Sequence, residues 1–232
     1  MKRVLVTGAN RGLGLAFVRR LLARGDRVAA ACRHPGRANA LTQLAAAHPG
    51  HLHVLQADLA KPASIAELAR EAALVFDGLE LLINNAGVLP SGERFGAVEA
   101  DTLDHSFRVN AMAPFLLTQA LAPLLAKGDR ATVLNLGSAM ASLSGVREFR
   151  SPSYAISKAA LNMATRELAQ ALAPQGIIVL AVSPGWIRTD MGGENAPTSP
   201  EDAAAALLRL LDRAGPADSG RFVDRDGEDI PW

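Results

Sequence analysis

The chain has 232 residues, enough for one domain built around a single buried core. Hydrophobic residues make up 49% of it and charged residues 20%, as in ordinary soluble globular proteins, and the formal net charge is +1. This charge provides no electrostatic basis for binding nucleic acid or an anionic membrane. No apolar run is long enough to predict a transmembrane helix. The composition therefore argues against a nucleic-acid binder and against a membrane protein.

The first residues, Met1-Lys2-Arg3, pass directly into a short apolar strand, without the apolar stretch and cleavage site of a signal peptide. The single cysteine, Cys32, has no internal partner for a disulfide. From these two observations we expect a cytoplasmic protein. No metal site is expected, because no metal-ligand spacing joins the histidines, which are His34, His48, His51, His53 and His105.

Short β-branched runs alternate with longer helical patterns along the whole chain. The runs predict strands at 4–6, 27–31, 53–55, 79–84, 131–136 and 177–182. The helical patterns predict helices at 12–24, 37–47, 62–75, 101–126, 153–173 and 200–213. This alternation is typical of a Rossmann-like, doubly wound α/β domain, with a parallel sheet of about seven strands and helices on both faces.

The irregular stretches 85–100, 139–152 and 184–199 each follow a predicted strand, as does a glycine-rich turn after the first strand. The carboxyl ends of parallel strands lie at one edge of a sheet, and ligands bind at that edge in doubly wound folds. We therefore expect the functional residues in these stretches to meet there.

The glycine-rich turn, Thr7 to Gly14, reads TGANRGLG and connects the first strand to the first helix. Glycines let the backbone approach a pyrophosphate, and the N-terminus of the helix favours its negative charge. The turn therefore predicts a dinucleotide site. The alternative is a tight strand-to-helix turn without a ligand.

The end of the second strand indicates which dinucleotide would bind. It reads Ala31-Cys32-Arg33 and lacks the carboxylate that NAD binders place on the ribose hydroxyls. Arg33, together with Arg11 of the glycine turn, predicts two cations near the adenosine ribose. This favours NADP(H) over NAD(H), unless Arg33 is merely solvated.

Three further features follow along the chain. Asp58 could accept a hydrogen bond from an adenine amino group or could only cap its own loop. Asn84-Asn85-Ala86-Gly87 ends a strand and could hold both the neighbouring strand and a ribose.

Pro114 has no N–H for the carbonyl of Asn110, so we expect a helix kink there. The freed carbonyl and a water would then make a proton path near Lys158.

Tyr154 and Lys158 lie four residues apart, on one face of the predicted helix 153–173. A neighbouring ammonium would lower the pKa of the phenol. Ser138 follows the strand 131–136 and could hold a carbonyl oxygen, with Ser142 and Ser144 as alternatives. The trio suits proton transfer to or from a carbonyl or alcohol oxygen.

In this order and over essentially the whole chain, these motifs resemble the short-chain dehydrogenase/reductase family. The resemblance implies that Tyr154 is the acid/base, that Lys158 lowers its pKa and binds a ribose, that Ser138 polarises the carbonyl and that Asn110 anchors a water. The cofactor contacts predicted with it are Gly8, Asn10, Arg11, Gly12, Leu13, Gly14, Arg33, Asp58, Leu59, Asn85, Ala86, Gly87, Tyr154, Lys158, Pro184, Gly185, Ile187 and Thr189.

The gap between Ser138 and Tyr154 is wider than in most members of the family. With the end of the second strand and the tail 226–232, it looks like the subgroup of the C-signalling factors and sniffer-type carbonyl reductases. The resemblance implies an NADP(H)-dependent oxidoreductase that interconverts a carbonyl and an alcohol. The alternatives are a nucleotide-binding signalling protein, and an epimerase or dehydratase on the same scaffold.

The whole chain, 1–232, is interpreted as one NADP(H)-binding domain. The short segment 184–200 is expected to cover the substrate, a small carbonyl or alcohol, and to leave an open, permissive pocket. The predicted helices 101–126 and 153–173 carry small residues that could pack against a second copy, in a homodimer or a homotetramer.

Overall fold

One seven-stranded parallel sheet organises the computed structural model, which describes residues 1–232. Its strands in chain order are β1 (Arg3–Thr7), β2 (Arg27–Cys32), β3 (Leu52–Gln56), β4 (Leu81–Asn84), β5 (Thr132–Leu136), β6 (Ile178–Ser183) and β7 (Phe222–Asp224). Across the sheet they follow the order β3-β2-β1-β4-β5-β6-β7, and every neighbouring pair is parallel. The predicted doubly wound fold is confirmed.

Helices cover both faces of the sheet. They are α1 (Gly12–Ala23), α2 (Asn39–Ala47), α3 (Pro62–Val75), α4 (Ala100–Phe107), α5 (Ala113–Leu125), α6 (Pro152–Leu172) and α7 (Pro200–Arg213). Strand side chains alternate between the faces, so Val4 and Val6 join the core under α1, α2 and α7, and Leu5 joins the core under α3, α5 and α6. None of these helices combines the length and the apolarity that crossing a bilayer requires.

The boundaries differ from the sequence-based expectations at a few places. The six predicted strands are present within two residues at each end, but β7 was not placed. It has only three residues and adjoins the charged tail, so its pattern carries no clear period. It is a strand because its backbone pairs with β6, with Phe222 in register with Ala181.

The predicted helix 101–126 is divided by a π-helical turn at Arg108–Met112, between α4 and α5. There the Ala113 amide donates to the carbonyl of Arg108, five residues back. The widening lies beside Pro114, which has no N–H to donate to the Asn110 carbonyl. The helix is therefore irregular at the position where a kink was expected, and the irregularity is a widened π-helical turn in which Asn110 is completely buried.

The chain starts at the middle of the sheet with β1, moves outward to β3 and then returns to β4 on the other side of β1. Such a reversal opens a crevice at the carboxyl ends of the two adjacent strands. The glycine turn follows β1 and the Asn85–Gly87 stretch follows β4, so the order of the strands alone brings both to this crevice.

At the opposite end of β1, a charged pair ties β1 to the start of β4. Arg3 donates to the Glu80 carboxylate through its backbone N–H, through Nε at 3.0 Å and through Nη2. Burial would raise the pKa of Glu80, but the hydrogen bonds from Arg3 and from the Asp129 amide outweigh burial and lower that pKa. Glu80 is therefore ionised at neutral pH.

We expect Glu80→Gln to lower the free energy of unfolding by about 2 kcal/mol near neutral pH, because it removes charge-assisted hydrogen bonds from a buried site. The folded pKa of Glu80 lies below its unfolded value. The stability that it contributes is therefore present above the unfolded pKa and is lost as the pH falls through the folded pKa. Urea unfolding from neutral to acidic pH measures both effects.

The matched control is Asp77→Asn, because Asp77 pairs with the same Arg3 but is 88% exposed. An exposed ion pair is screened by solvent and contributes little to stability, so this variant should unfold close to the wild type. Equal losses in the two variants would contradict the role given to the buried carboxylate.

Candidate active site

The glycine turn is shaped by its contact with the end of β4. The Asn85 amide nitrogen donates to the carbonyl oxygens of Thr7, at 2.8 Å, and Gly8, at 3.2 Å. A Cβ at Gly14 would lie 2.2 Å from the Gly8 oxygen and 2.6 Å from that amide nitrogen, so only glycine fits. Gly8 has a φ of 62°, which also favours glycine. The first turn of α1 holds no acidic side chain, so its free N–H groups can receive a phosphate.

Arg11 of the glycine turn forms an ion pair with the segment that follows β6. Its Nη1 atom donates to the Asp190 carboxylate at 2.7 Å, and both side chains are largely exposed. Gly12 packs against the methyl group of Thr189 on the same segment. The expected position of Arg11 and Arg33 beside an adenosine ribose stays a prediction. A long arginine side chain reaches a carboxylate that is distant in sequence, which no local pattern indicates.

Arg33 and Asp58 lie together at the ends of β2 and β3. The pKa of Asp58 lies below its ordinary value. Burial alone would raise it, but the hydrogen bond from the Ala60 amide, the Lys61 ammonium and the more distant charge of Arg33 outweigh burial. The Asp58 carboxylate accepts the Ala60 N–H at 3.2 Å, which is the loop-capping role considered as the alternative. Leu59 beside it is buried in the core.

A buried chain of polar side chains joins β4 and β5 to the helices that cover them. The Asn84 amide nitrogen donates to Asn135 Oδ1 at 2.8 Å and to Thr118 Oγ1 at 3.3 Å. Asn135 in turn donates to Thr165 Oγ1 at 2.9 Å. Thr118 belongs to α5 and Thr165 to α6, so the chain fixes how both helices sit on the sheet. Asn84 thus holds the neighbouring strand, as predicted.

Asn110 is fully buried, and its side chain is committed to protein partners. Its Oδ1 accepts the Val88 N–H at 2.8 Å, and its Nδ2 donates to the Val88 carbonyl at 2.9 Å and to Ser157 Oγ at 2.9 Å. Ser157 then donates to the Tyr154 carbonyl at 2.7 Å. The loop after β4, the π-helical turn and the first turn of α6 are therefore linked through one amide.

Tyr154, Lys158 and Ser138 meet where β5 ends against the start of α6. The Lys158 ammonium donates to the Leu136 carbonyl at 2.6 Å and lies 5.7 Å from the centre of the Tyr154 ring. Ser138, two residues after Leu136, accepts the Met140 N–H at 3.2 Å. A Cβ on Gly87 would lie 3.7 Å from the Lys158 nitrogen, so the stretch after β4 borders the same place.

The pKa values of the pair both move toward the neutral forms. Burial lowers the pKa of Lys158 to about 8. Burial also raises the pKa of Tyr154, and the nearby Ser138 hydroxyl opposes that rise only in part. The expected lowering of the Tyr154 pKa by Lys158 is therefore not seen in the protein alone, because the ammonium is turned toward the Leu136 carbonyl.

The two alternative serines are engaged elsewhere. Ser142 is buried and accepts the Gly145 N–H at 3.1 Å within its own loop. The Ser144 hydroxyl donates to the Trp232 carbonyl at 2.9 Å, on the side of the C-terminal segment. Of the three candidates, Ser138 is the one that the structure brings to Tyr154.

The segment 184–200 folds into a compact turn beside the glycine turn. The Trp186 indole N–H donates to the Gly192 carbonyl at 2.7 Å, and the Arg188 N–H donates to the Thr198 carbonyl at 2.8 Å. Pro184, Gly185, Ile187 and Thr189 thus stand at the carboxyl edge of the sheet, after β6.

The sequence alone did not indicate several residues in or around the site, namely Thr118, Asn135, Thr165, Ser157 and Asp190. It also did not indicate Glu93, whose carboxylate accepts the Ser153 hydroxyl at the start of α6. The amides of Asn84 and Asn135 had a detectable signal, because both interrupt apolar strands. The helical threonines and serines had none, since such residues also occur on solvated helix faces.

Comparison with known proteins shows the family of this chain. The family model described as short chain dehydrogenase matches residues 2–200. The chain therefore belongs to the short-chain dehydrogenase/reductase family, and it is an oxidoreductase of that family.

Individual relatives place it in the predicted subgroup. The carbonyl reductase Sniffer of D. melanogaster superposes with a TM-score of 0.95 at 33% identity and with full coverage of both chains. The NADPH-bound carbonyl reductase from chicken fatty liver gives 0.93 at 34% identity, over 100% of this chain and 99% of that one. C-signal of Myxococcus xanthus is 38% identical over 66% of this chain and 93% of its own length.

Lys158 is expected to destabilise the fold near neutral pH. Its folded pKa of about 8 lies below the ordinary value of 10.5, so the unfolded chain binds the proton more readily between these values. Stability therefore rises with pH through this window, and the full cost is present below it. Without added nucleotide, Lys158→Met should raise the free energy of unfolding by about 1–2 kcal/mol near neutral pH, where it removes a buried charge.

The gain should shrink as the pH approaches the unfolded pKa of lysine, and urea unfolding at a series of pH values measures it. Lys61→Met is the control, because it makes the same substitution at a lysine whose side chain is 73% exposed. A Lys158→Met protein that is less stable than the wild type at every pH would contradict the assignment.

Proposed function

We propose that this protein reduces carbonyl compounds to alcohols with NADPH, and oxidises alcohols in the reverse direction. The observation that carries the proposal is the meeting of Tyr154, Lys158 and Ser138 beside a glycine turn that is open to a phosphate. The similarity to an NADPH-bound carbonyl reductase along essentially both chains supports it.

The residues present fit a bound dinucleotide. Gly8 and Gly14 bring the backbone close enough for a pyrophosphate, and the N-terminus of α1 favours its charge. Arg33 stands at the end of β2, where NAD binders carry a carboxylate, and it suits a 2′-phosphate on the ribose. Lys158 and the stretch 184–189 border the other end of the crevice, where the nicotinamide would lie.

When bound, NADPH supplies the hydride. Ser138 would hold the carbonyl oxygen by hydrogen bonding, and Tyr154 would donate a proton to that oxygen. The raised pKa of Tyr154 keeps its proton in place at neutral pH, which suits the acid role in reduction. Since the Asn110 side chain is engaged with Val88 and Ser157, a water of the proton path would have to bind the Asn110 backbone carbonyl.

A nucleotide-binding signalling role is the second candidate, favoured by the similarity to C-signal. Binding alone needs no acid/base tyrosine, and here Asn110, Ser138, Tyr154 and Lys158 are all present and packed together. We therefore favour catalysis. The segment 184–200 is short, which supports an open, permissive substrate pocket.

Tyr154→Phe should abolish turnover and leave NADPH binding within about twofold of the wild type, because it removes only the transferable proton. NADPH oxidation followed optically against a panel of aldehydes and ketones measures turnover, and a fluorescence titration measures binding. Ser142→Ala is the control, since Ser142 is engaged within its own loop. Native turnover by the phenylalanine variant would exclude the mechanism.

Arg33→Asp should reverse the nucleotide preference, because it replaces the cation at the 2′-phosphate with a carboxylate suited to ribose hydroxyls. We expect at least a tenfold (about 1.4 kcal/mol) loss in NADPH affinity and no loss for NADH. Arg37→Asp makes the same charge change on an exposed neighbour. Equal affinities of the unmodified protein for the two nucleotides would contradict the assignment.

A further inference from the structure

Helix α6 begins without a cap of its own. The residue before it, Ser151, has a left-handed backbone with φ of 43°, and its side chain makes no capping hydrogen bond. Pro152 follows and has no N–H. The first free N–H of the helix is therefore that of Ser153, which is buried beside Tyr154. A buried N–H at a helix start needs an acceptor from elsewhere.

Glu93, on the loop after β4, supplies this acceptor. Its carboxylate accepts the Ser153 N–H at 3.3 Å through one oxygen and the Ser153 hydroxyl through the other. No cation pairs with Glu93 among the salt bridges of the structure. A carboxylate at a helix N-terminus also interacts favourably with the helix dipole.

The two loops that flank the start of α6 make one more contact. The rings of Phe95 and Phe149 pack edge to face, with centres 5.7 Å apart. Phe95 is 87% exposed, so this contact holds the loop weakly. The hydrogen bonds of Glu93 therefore provide the direct polar attachment of this loop to the first residues of α6.

We propose that Glu93 is a positioning residue that fixes Tyr154 for proton transfer, by anchoring the first turn of α6 through Ser153. Tyr154 directly follows Ser153, and its carbonyl is held from the other side by Ser157. Glu93 and Ser157 thus hold the two ends of the turn that carries the phenol. The proposal rests on the function proposed above for Tyr154.

Both carboxylate oxygens are used, so Glu93→Gln keeps the size of the side chain but loses one acceptor. A small misplacement of a reacting group can lower a rate by up to about a hundredfold, and we expect kcat to fall about tenfold. The KM for NADPH should stay within about twofold. Glu99→Gln is the control, because it removes the same charge from the same loop and Glu99 makes no capping contact.

Ser153→Ala removes the hydroxyl partner and should lower kcat in the same way. If the two residues act together, the double variant should be no slower than the slower single variant. A variant in which the KM for NADPH rises while kcat stays constant would overturn the proposal. A kcat of Glu93→Gln equal to that of Glu99→Gln would also overturn it.

Hydrogen exchange of the amides of residues 153–158 tests the anchor without any turnover. Exchange there should be faster in Glu93→Gln than in Glu99→Gln, with equal exchange in β1 and β5. Equal exchange in the two variants over 153–158 would overturn the proposal. A wild type that reduces no carbonyl but shows the expected exchange would exclude the proposed function and leave the anchor in place.

Discussion

Burying a polar side chain without a hydrogen bond costs free energy, and in this protein two buried asparagines and their partners position the two helices beside the candidate active site on the sheet. Asn84 and Asn135 are both completely enclosed, so their amides bond to each other and to threonines of α5 and α6. Each buried amide group left without a hydrogen bond would cost about 1–3 kcal/mol, so an asparagine side chain without partners would cost several kcal/mol. Alternative placements of the helices that break this chain are therefore disfavoured.

The positions of the functional groups follow from this arrangement. Helix α5 fixes the π-helical turn and with it Asn110, and helix α6 fixes Tyr154 and Lys158. Asn110 then ties the loop after β4 to Ser157, and Lys158 ties α6 to the end of β5. The site is thus built from hydrogen bonds between elements, while the hydrophobic cores on the two faces of the sheet supply most of the stability.

The candidate site also carries a cost in stability that the proposed function would explain. Lys158 is an ammonium in a buried place, where burial lowers its pKa to about 8 and only one carbonyl receives it. Tyr154 is held with a raised pKa nearby. A stability-optimised fold would place apolar side chains there, whereas proton transfer at an oxygen needs groups whose charge can change.

The sequence by itself determined the fold class and the order of nearly all elements, because strand and helix periods differ and parallel strands need covering helices. It also predicted Tyr154, Lys158, Ser138, Asn110 and the glycine turn as site residues, since each belongs to a local motif at a strand end or on one helix face. Only the tertiary structure decided that Arg11 pairs with Asp190, that β7 is a strand and that Glu93 caps α6. These depend on contacts between residues far apart in the chain, where a charged or polar side chain has many possible partners and local pattern selects none of them.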